Sequence, residues 1–578
     1  MIPPITALYT LRTQYLFLLF LGVPVPSLFN SYYKSEQKFT VPLEERTGNI
    51  KDDFDFIVVG GGTAGLAVAN RLSKEYKTLL LEAGGHPFPL TAVPPLAPPM
   101  LNNPDIDWMD KAVPQKHACQ GIRNNGTLLN RGKGLGGSSM LNFMMVMRGN
   151  PNDYNLWANE TNDPEWSYEN LLPFFKKMED YHGQYRKGSV HGKGGPLYIT
   201  RPDVQPLHRQ WRQAAEELGY VMKDPNGYQT ESFFRVDSNI LKGSRHSTYS
   251  AYLEKILNRN SLTVRLYSQV TKVEFDKNNK AVGVRYVQGG REYLVKCRKE
   301  VILSADHVFT QIGPFLVEEE LSILINRDFN PVNFRRYLVS GKGPLSILGA
   351  GGGAVLSSSQ TTPDWPDILF VLQAVGLHTT AAPDLTGAFD FKPGVLENYF
   401  ANHLGRDAFT VAIAGTRPKS RGQVKLASKD PFQPLIVDPN YFDHPDDLKV
   451  VMEGVKVARK LILETKAFRD VGVRLVSNLF PGCEKHKDNT SDEYWECFVK
   501  HFTTTMWHWT STCRMGSGPQ DKNSVVDSKL RVHGTTGLRV IDASVMPHVT
   551  NANINIPCIL IGEKGADIIL NHWAGVCQ

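Results

Sequence analysis

The 578-residue sequence predicts an α/β (α+β) protein in which a Rossmann-like nucleotide-binding domain is interleaved with a second domain built on an antiparallel sheet. Three observations predict it. Asp55 to Gly85 reads as strand, glycine turn, helix and strand, the parallel unit of a nucleotide fold. Residues 263–303 alternate as β-hairpins joined near Asn278 and Gly289. A further strand, "LRVIDAS", is followed by a loop and a helix from about Pro557 to Leu570, far from the first unit in sequence.

Composition bounds the alternatives. With 41% hydrophobic and 10% aromatic residues the chain can bury a large core, which excludes whole-chain disorder. Sixty-four basic residues against 58 acidic ones give a net charge of +6 with no basic run, so nucleic acid is not an expected partner. At the N-terminus "YLFLLFLGVPV", Tyr15–Val25, fits the apolar core of a secretory signal and falls short of the ~20 residues that span a bilayer. Residues 1–29 therefore read as a signal peptide or an uncleaved anchor, the location as secreted, and no stable membrane span is expected. Sequons at Asn125, Asn159 and Asn489 are compatible with export. The seven cysteines form no metal-spaced cluster; Cys483 and Cys497 are the pair expected to join in an exported protein.

Gly60-x-Gly62-x-x-Gly65 lies between the first strand and its helix. The first glycine permits the tight turn, the second lets backbone approach a pyrophosphate at the helix N-terminus, and the third allows close helix-to-strand packing. Glu82, at the end of the next strand, suits the ribose hydroxyls. Such a unit holds NAD or FAD alike. The late strand-loop-helix favours FAD, because a large flavin is closed over by a segment returning to the same sheet, and a helix N-terminus can face the ring where negative charge grows on reduction.

Elsewhere, Pro87–Gly132 reads as irregular surface connections, Asp163–Asp180 and Pro206–Gly219 as helices, Gly341–Ser359 as a loop system and Asp446–Leu463 as an amphipathic helix.

Several longer stretches together resemble the glucose–methanol–choline (GMC) oxidoreductase family, and within it the insect glucose dehydrogenase-like branch. They are "VVGGGTAGLAVANRLS", "LLLEAGG", "NRGKGLGGSSMLNFMMVMRGNPNDYNLWA", "GSRHSTYSAYL", "PKSRGQVKLAS", "TCRMG" and "VIDASVMP" with "GEKGADII". The resemblance implies a GMC N-terminal FAD-binding region over 52–320 and a C-terminal region over 415–570, with the substrate domain drawn mainly from 156–235 and 311–500. It implies that a loop like Arg131–Asn142, with Gly136 in it, lies along flavin and pyrophosphate, Asn142 near the ring. It also implies that backbone at Val270 meets adenine, and that Asp542 faces the ribityl-pyrophosphate region.

Alcohol oxidation needs one group to take the hydroxyl proton and one to hold the oxygen while hydride leaves carbon. By resemblance His508, in "MWHWTSTCRMG", takes the first role, suited by an ordinary imidazole pKa of ~6.5. Asn553, in "TNANINIP", takes the second, with Asn551 and Asn555 as alternatives one strand period away. The expected donor is a sugar, polyol, steroid or aromatic alcohol, and the acceptor a quinone or O₂. A hydroxynitrile lyase-type reaction on the same fold, and a shortened, inactive binding protein, are the competing readings.

Two departures from the family stand out. Ser511 occupies a position where relatives carry glycine, and Ile554 and Ile556 replace small residues. In "EVILSADHVFTQIGPFLV" Ala305 runs directly into Asp306 and His307, where relatives insert a helix, a turn and another strand. That shortening is expected to expose apolar surface, open the cofactor domain and weaken FAD binding.

Overall fold

The computed structural model describes residues 54–186, 188–303 and 307–576, together with Tyr32. The expected signal or anchor and the junction at 304–306 lie outside the described residues. Among the described residues no helix is long and apolar enough to cross a membrane.

Strand β1 (Phe54–Val59), helix α1 (Thr63–Leu72) and strand β2 (Thr78–Leu81) form the unit read from the sequence. Both strands pair in parallel, Phe56 opposite Thr78 through Val59 opposite Leu81. Strand Leu262–Arg265 flanks β2, strand Arg291–Leu303 flanks β1, and strand Leu538–Val540 pairs with Arg291–Leu303, all in parallel. The C-terminal strand therefore does return to the first sheet.

Arg291–Leu303 is long enough to serve two sets of partners. Its first half closes an antiparallel meander with Gln269–Phe275 and Ala281–Gln288, and its second half enters the parallel set. Gly289 and Gly290 make the tight turn at φ of +56° and +75°, a conformation that glycine adopts without a Cβ penalty.

Both faces of the parallel set are covered. On one side Phe56, Val58, Leu80 and Ile302 pack against α1 and the C-terminal helix Asn555–Val576. On the other, Ile57, Leu79, Leu81, Val301 and Leu538 pack against Val284, Tyr286 and Val295 of the meander. Among the described residues, helices and meander thus cover both faces of the parallel set. Exposed apolar side chains stand on helix Pro331–Ser340, where Val332, Leu338 and Val339 are 77%, 52% and 79% exposed.

The second sheet is antiparallel: Arg474–Leu475, His307–Leu316, Ala408–Gly415, Ile368–Gln373, Ala350–Leu356 and Ser232–Phe234 in that order, with Thr504–Trp509 also on His307–Leu316. Helix Pro445–Leu463 packs against it through Val450, Val451, Val455 and Ala458. The chain thus passes straight from the first sheet, ending at Leu303, to the second, starting at His307.

The stretch 156–235 divides between the two halves. Trp157, Trp166, Tyr168, Leu171 and Phe175 share the core of α1, whereas Trp211, Ala214 and Phe233 share the core of the antiparallel sheet.

The loop expected over Gly341–Ser359 is corrected in its second half, where Ala350–Leu356 is a buried strand. Its glycines are contact surfaces: a Cβ on Gly352 would lie 2.5 Å from the Trp211 ring, and one on Gly353 2.4 Å from Phe234. Large neighbours fill the faces that these residues leave empty, which local pattern cannot reveal. Cys483 and Cys497 are joined as expected.

Candidate active site

The glycine turn forms a cradle. Gly60 has φ of +96°, and a Cβ on Gly60 or Gly62 would meet nothing within 4 Å, so the turn faces open space. Gly65 is the opposite case, since a Cβ there would sit 2.1 Å from the Gly60 carbonyl oxygen. Gly62 is the N-cap of α1 and no side chain caps that end, which leaves the first amides available to an anion.

Glu82 is buried, and its carboxylate is committed to backbone. Oε2 accepts from Gly61 N–H at 2.7 Å and Oε1 from Gly84 N–H at 2.8 Å. It therefore braces the glycine turn, and only remaining lone pairs are available to a ribose. Burial raises its pKa against the opposing pull of these amides.

The loop Arg131–Asn142 lies on this cradle. Gly136 N–H donates to the Gly61 carbonyl at 2.7 Å, Leu135 N–H donates to Gly85 at 2.9 Å, and Gly137 comes so close that a Cβ would sit 2.7 Å from Gly62 Cα. Asn142 Oδ1 accepts from Met144 N–H at 3.0 Å and from Arg245 Nη1 at 2.7 Å. Arg131 turns elsewhere: its Nη2 donates to Asp110 Oδ2 at 2.7 Å and its guanidinium lies 5.1 Å from the Trp108 ring centre. Val270 is the second residue of strand Gln269–Phe275, and Ser268 just before the strand docks on the cradle, its N–H donating to the Glu82 carbonyl at 2.8 Å. Asp542 follows strand Leu538–Val540; its Oδ1 accepts from Ser544 N–H at 2.8 Å and caps the turn after it.

His508 sits in strand Thr504–Trp509. The strand is kinked at Trp507, whose φ is +59°. Thr505 Oγ1 accepts the Trp507 N–H at 2.8 Å, the indole donates to Asn130 Oδ1 at 3.1 Å, and its ring is stacked near both Phe143 and Phe389. His508 keeps some accessible surface yet is surrounded by protein on most sides. That desolvation pushes its pKa down from 6.5 to about 3. Beyond it Ser511 holds φ of +69°, the left-handed conformation that favours glycine. "TCRMG" then docks beside the C-terminal loop, Cys513 N–H to Ser544 and Met515 N–H to Val545.

The loop carrying Asn553 is tied down by Asp153. One carboxylate oxygen accepts the Asn551 N–H at 2.7 Å and the Asn150 N–H at 2.9 Å, while the other accepts the Trp365 indole at 2.9 Å. Asn551 Nδ2 donates to Gln229 Oε1 and the Pro366 carbonyl, which fixes the direction of that side chain. Asn551 Oδ1, Asn553 Oδ1 and Asn555 Nδ2, at the start of the C-terminal helix, are each buried without a hydrogen-bond partner. Ala552 and Met506, neighbours of the two predicted residues, share one small core. Asp153 and Arg245 were missed by sequence reading, since each acts through partners distant in sequence.

An open glycine cradle at an uncapped helix end, covered by a second glycine loop, fits the phosphates of a dinucleotide. The fold and site define a two-domain flavin-dependent oxidoreductase. Residues 54–312 and 418–562 match the GMC oxidoreductase family. The chain is 33% identical to the glucose dehydrogenase [FAD, quinone] of Drosophila pseudoobscura pseudoobscura over 602 aligned positions, covering 96% of this chain and 93% of that one. It is 31% identical to the oxygen-dependent choline dehydrogenase of Chromohalobacter salexigens, covering 89% and 95%. Among solved structures, pyridoxine 4-oxidase from Mesorbium loti is similar with a TM-score of 0.73 at 25% identity, covering 90% and 99%. The chain belongs to the GMC oxidoreductase family: it is an FAD-dependent oxidoreductase acting on CH–OH groups. Because 602 aligned positions exceed the 578 residues present, the Drosophila relative carries residues that this chain lacks.

Proposed function

We propose that the chain oxidises a sugar, polyol or comparable alcohol and passes the electrons to a quinone or to O₂, and that it works outside the cell. His508 is the base and Asn553 the positioning partner. When bound, FAD supplies the acceptor for the hydride that leaves the substrate carbon. His508, kept neutral by desolvation, receives the hydroxyl proton on a ring nitrogen. Asn553 offers an unspent carbonyl oxygen and an amide N–H to the substrate oxygen, holding its direction without changing charge. Gly60, Gly62 and Gly136 give the pyrophosphate its backbone contacts, and Gly65 lets α1 pack close against the turn. Glu82 braces them, Asn142 lies near the ring, Val270 meets adenine, and Asp542 approaches the ribityl chain. Arg131 steadies the loop from behind through Asp110.

The observation that carries this reading is the orphaned Asn553 oxygen, buried in a loop that Asp153 pins in place. Anaerobic mixing with a panel of alcohols, followed by quinone or air, tests it. Bleaching of the flavin by a polyol and recovery with one acceptor support the reading and name that acceptor. Turnover of a hydroxynitrile with no bleaching contradicts it in favour of a lyase.

A further inference from the structure

Behind the loop Arg131–Asn142 lies a cation with no counter-charge. Arg245 is 5% exposed. Its Nε donates to the Thr91 carbonyl at 2.9 Å, and its Nη1 donates to the Ser139 carbonyl at 3.2 Å and to Asn142 Oδ1 at 2.7 Å. Its Nη2 has no hydrogen-bond partner, and among the described residues no carboxylate pairs with it. The buried Arg148 and Arg539 show the contrast, since each faces a carboxylate, Glu179 and Glu300. An isolated buried guanidinium with unmet donors is strongly unfavourable. Burial accordingly pushes its pKa down to about 9.

The location gives this charge a purpose. The residues it grips belong to the loop resting on the glycine turn, where Gly136 N–H meets the Gly61 carbonyl. Thr248, three residues further on, bonds Ser139 Oγ at 2.9 Å and locks the same loop from the same side. A planar fork with one edge committed to protein and a buried Nη2 left without a partner is suited to an electron-rich oxygen.

We propose that Arg245 is a cofactor-positioning residue: its Nη2 edge hydrogen-bonds an electron-rich oxygen of bound FAD while its Nη1 holds Ser139 and Asn142 in place. This rests on the FAD-dependent reading above. The oxygen belongs either to the pyrophosphate or to the pyrimidine edge of the ring.

The test titrates full-length apoprotein with FAD, with ADP as pyrophosphate without the ring, and with riboflavin as ring without pyrophosphate, for wild type, Arg245→Met and Arg245→Lys. Arg245→Met should bind FAD at least about tenfold more weakly, and Arg245→Lys about three- to tenfold, because ammonium keeps the charge and loses the fork. Apoprotein melting temperature should hold for Arg245→Lys, which separates positioning from folding. Weaker ADP binding assigns the contact to the pyrophosphate, and weaker riboflavin binding assigns it to the ring. Affinities for all three within about twofold of wild type overturn the inference. If Arg245→Met does not fold, the Lys variant decides alone, and unchanged FAD affinity overturns it. A wild-type chain that binds no FAD overturns the FAD-dependent reading instead.

Discussion

Arg71 and Glu563 stand 492 residues apart in sequence and form a two-pronged ion pair, Nε to Oε2 at 2.9 Å and Nη2 to Oε1 at 2.5 Å. The Tyr252 hydroxyl adds a third bond to Oε1 at 2.9 Å. This knot fastens the C-terminal helix to α1. At Gly562, the residue before Glu563, the helices touch so closely that a Cβ would lie 2.7 Å from the Ala64 carbonyl oxygen. The segment bearing Asn553 is thereby fixed relative to the glycine turn. Glu563 is fully buried and keeps Lys177 Nζ at 3.4 Å from its Oε2, so Arg71→Met breaks the two-pronged pair and leaves one partly exposed counter-ion, a loss of at most about 3–5 kcal/mol. Chemical denaturation should show that loss, with release of flavin before global unfolding.

His508→Ala should lower kcat by about 10²–10⁴ while flavin content stays unchanged, as expected for loss of a proton acceptor. Asn553→Ala should lower kcat with little change in folding, because its carbonyl oxygen has no protein partner to lose. Stopped-flow reduction and flavin absorbance check both.

The pH dependence follows from the depressed His508 pKa. Protonation of the folded enzyme begins only near about 3, so kcat/KM should stay free of an acid limb at 6.5. The unfolded chain takes up that proton near the ordinary ~6.5 and the folded chain does not, so this histidine costs stability as pH falls from about 6.5 toward 3. His508→Gln removes the penalty. Its melting temperature should fall less than that of wild type between neutral and mildly acid pH.

Ser511→Gly should raise stability by about 0.5–1 kcal/mol, since φ of +69° strains a residue with a Cβ. Thermal melts of the holoenzyme check the sign.

Much of this was legible because it is local. The glycine turn, the helix Pro445–Leu463 and the pairing of Cys483 with Cys497 each depend on neighbours in sequence. The strand Ala350–Leu356 was not, because its glycines make sense only beside Trp211 and Phe234. Glu82 was placed on the correct strand end, yet its grip on Gly61 and Gly84 is a tertiary fact. Asp153 and Arg245 stand inside stretches that carry the family resemblance, yet what each does is understood only from the partners that folding brings to it.

The short junction after Ala305 leads to a prediction as well. Inserting the helix, turn and strand that the family carries there should raise flavin loading of the purified protein and reduce binding of an apolar dye. Absorbance and dye fluorescence of the two proteins, side by side, check it. Equal loading would mean that helix and meander already close the cofactor domain.

The central claim is that one FAD lies between the glycine turn and the loop holding Asn553, with His508 as its proton acceptor. Anaerobic titration of the full-length protein with its alcohol, in wild-type and His508→Ala forms, tests this most directly. The account predicts two yellow proteins, of which only the wild type bleaches promptly. A colourless wild type, or bleaching at equal rates in both, would contradict it.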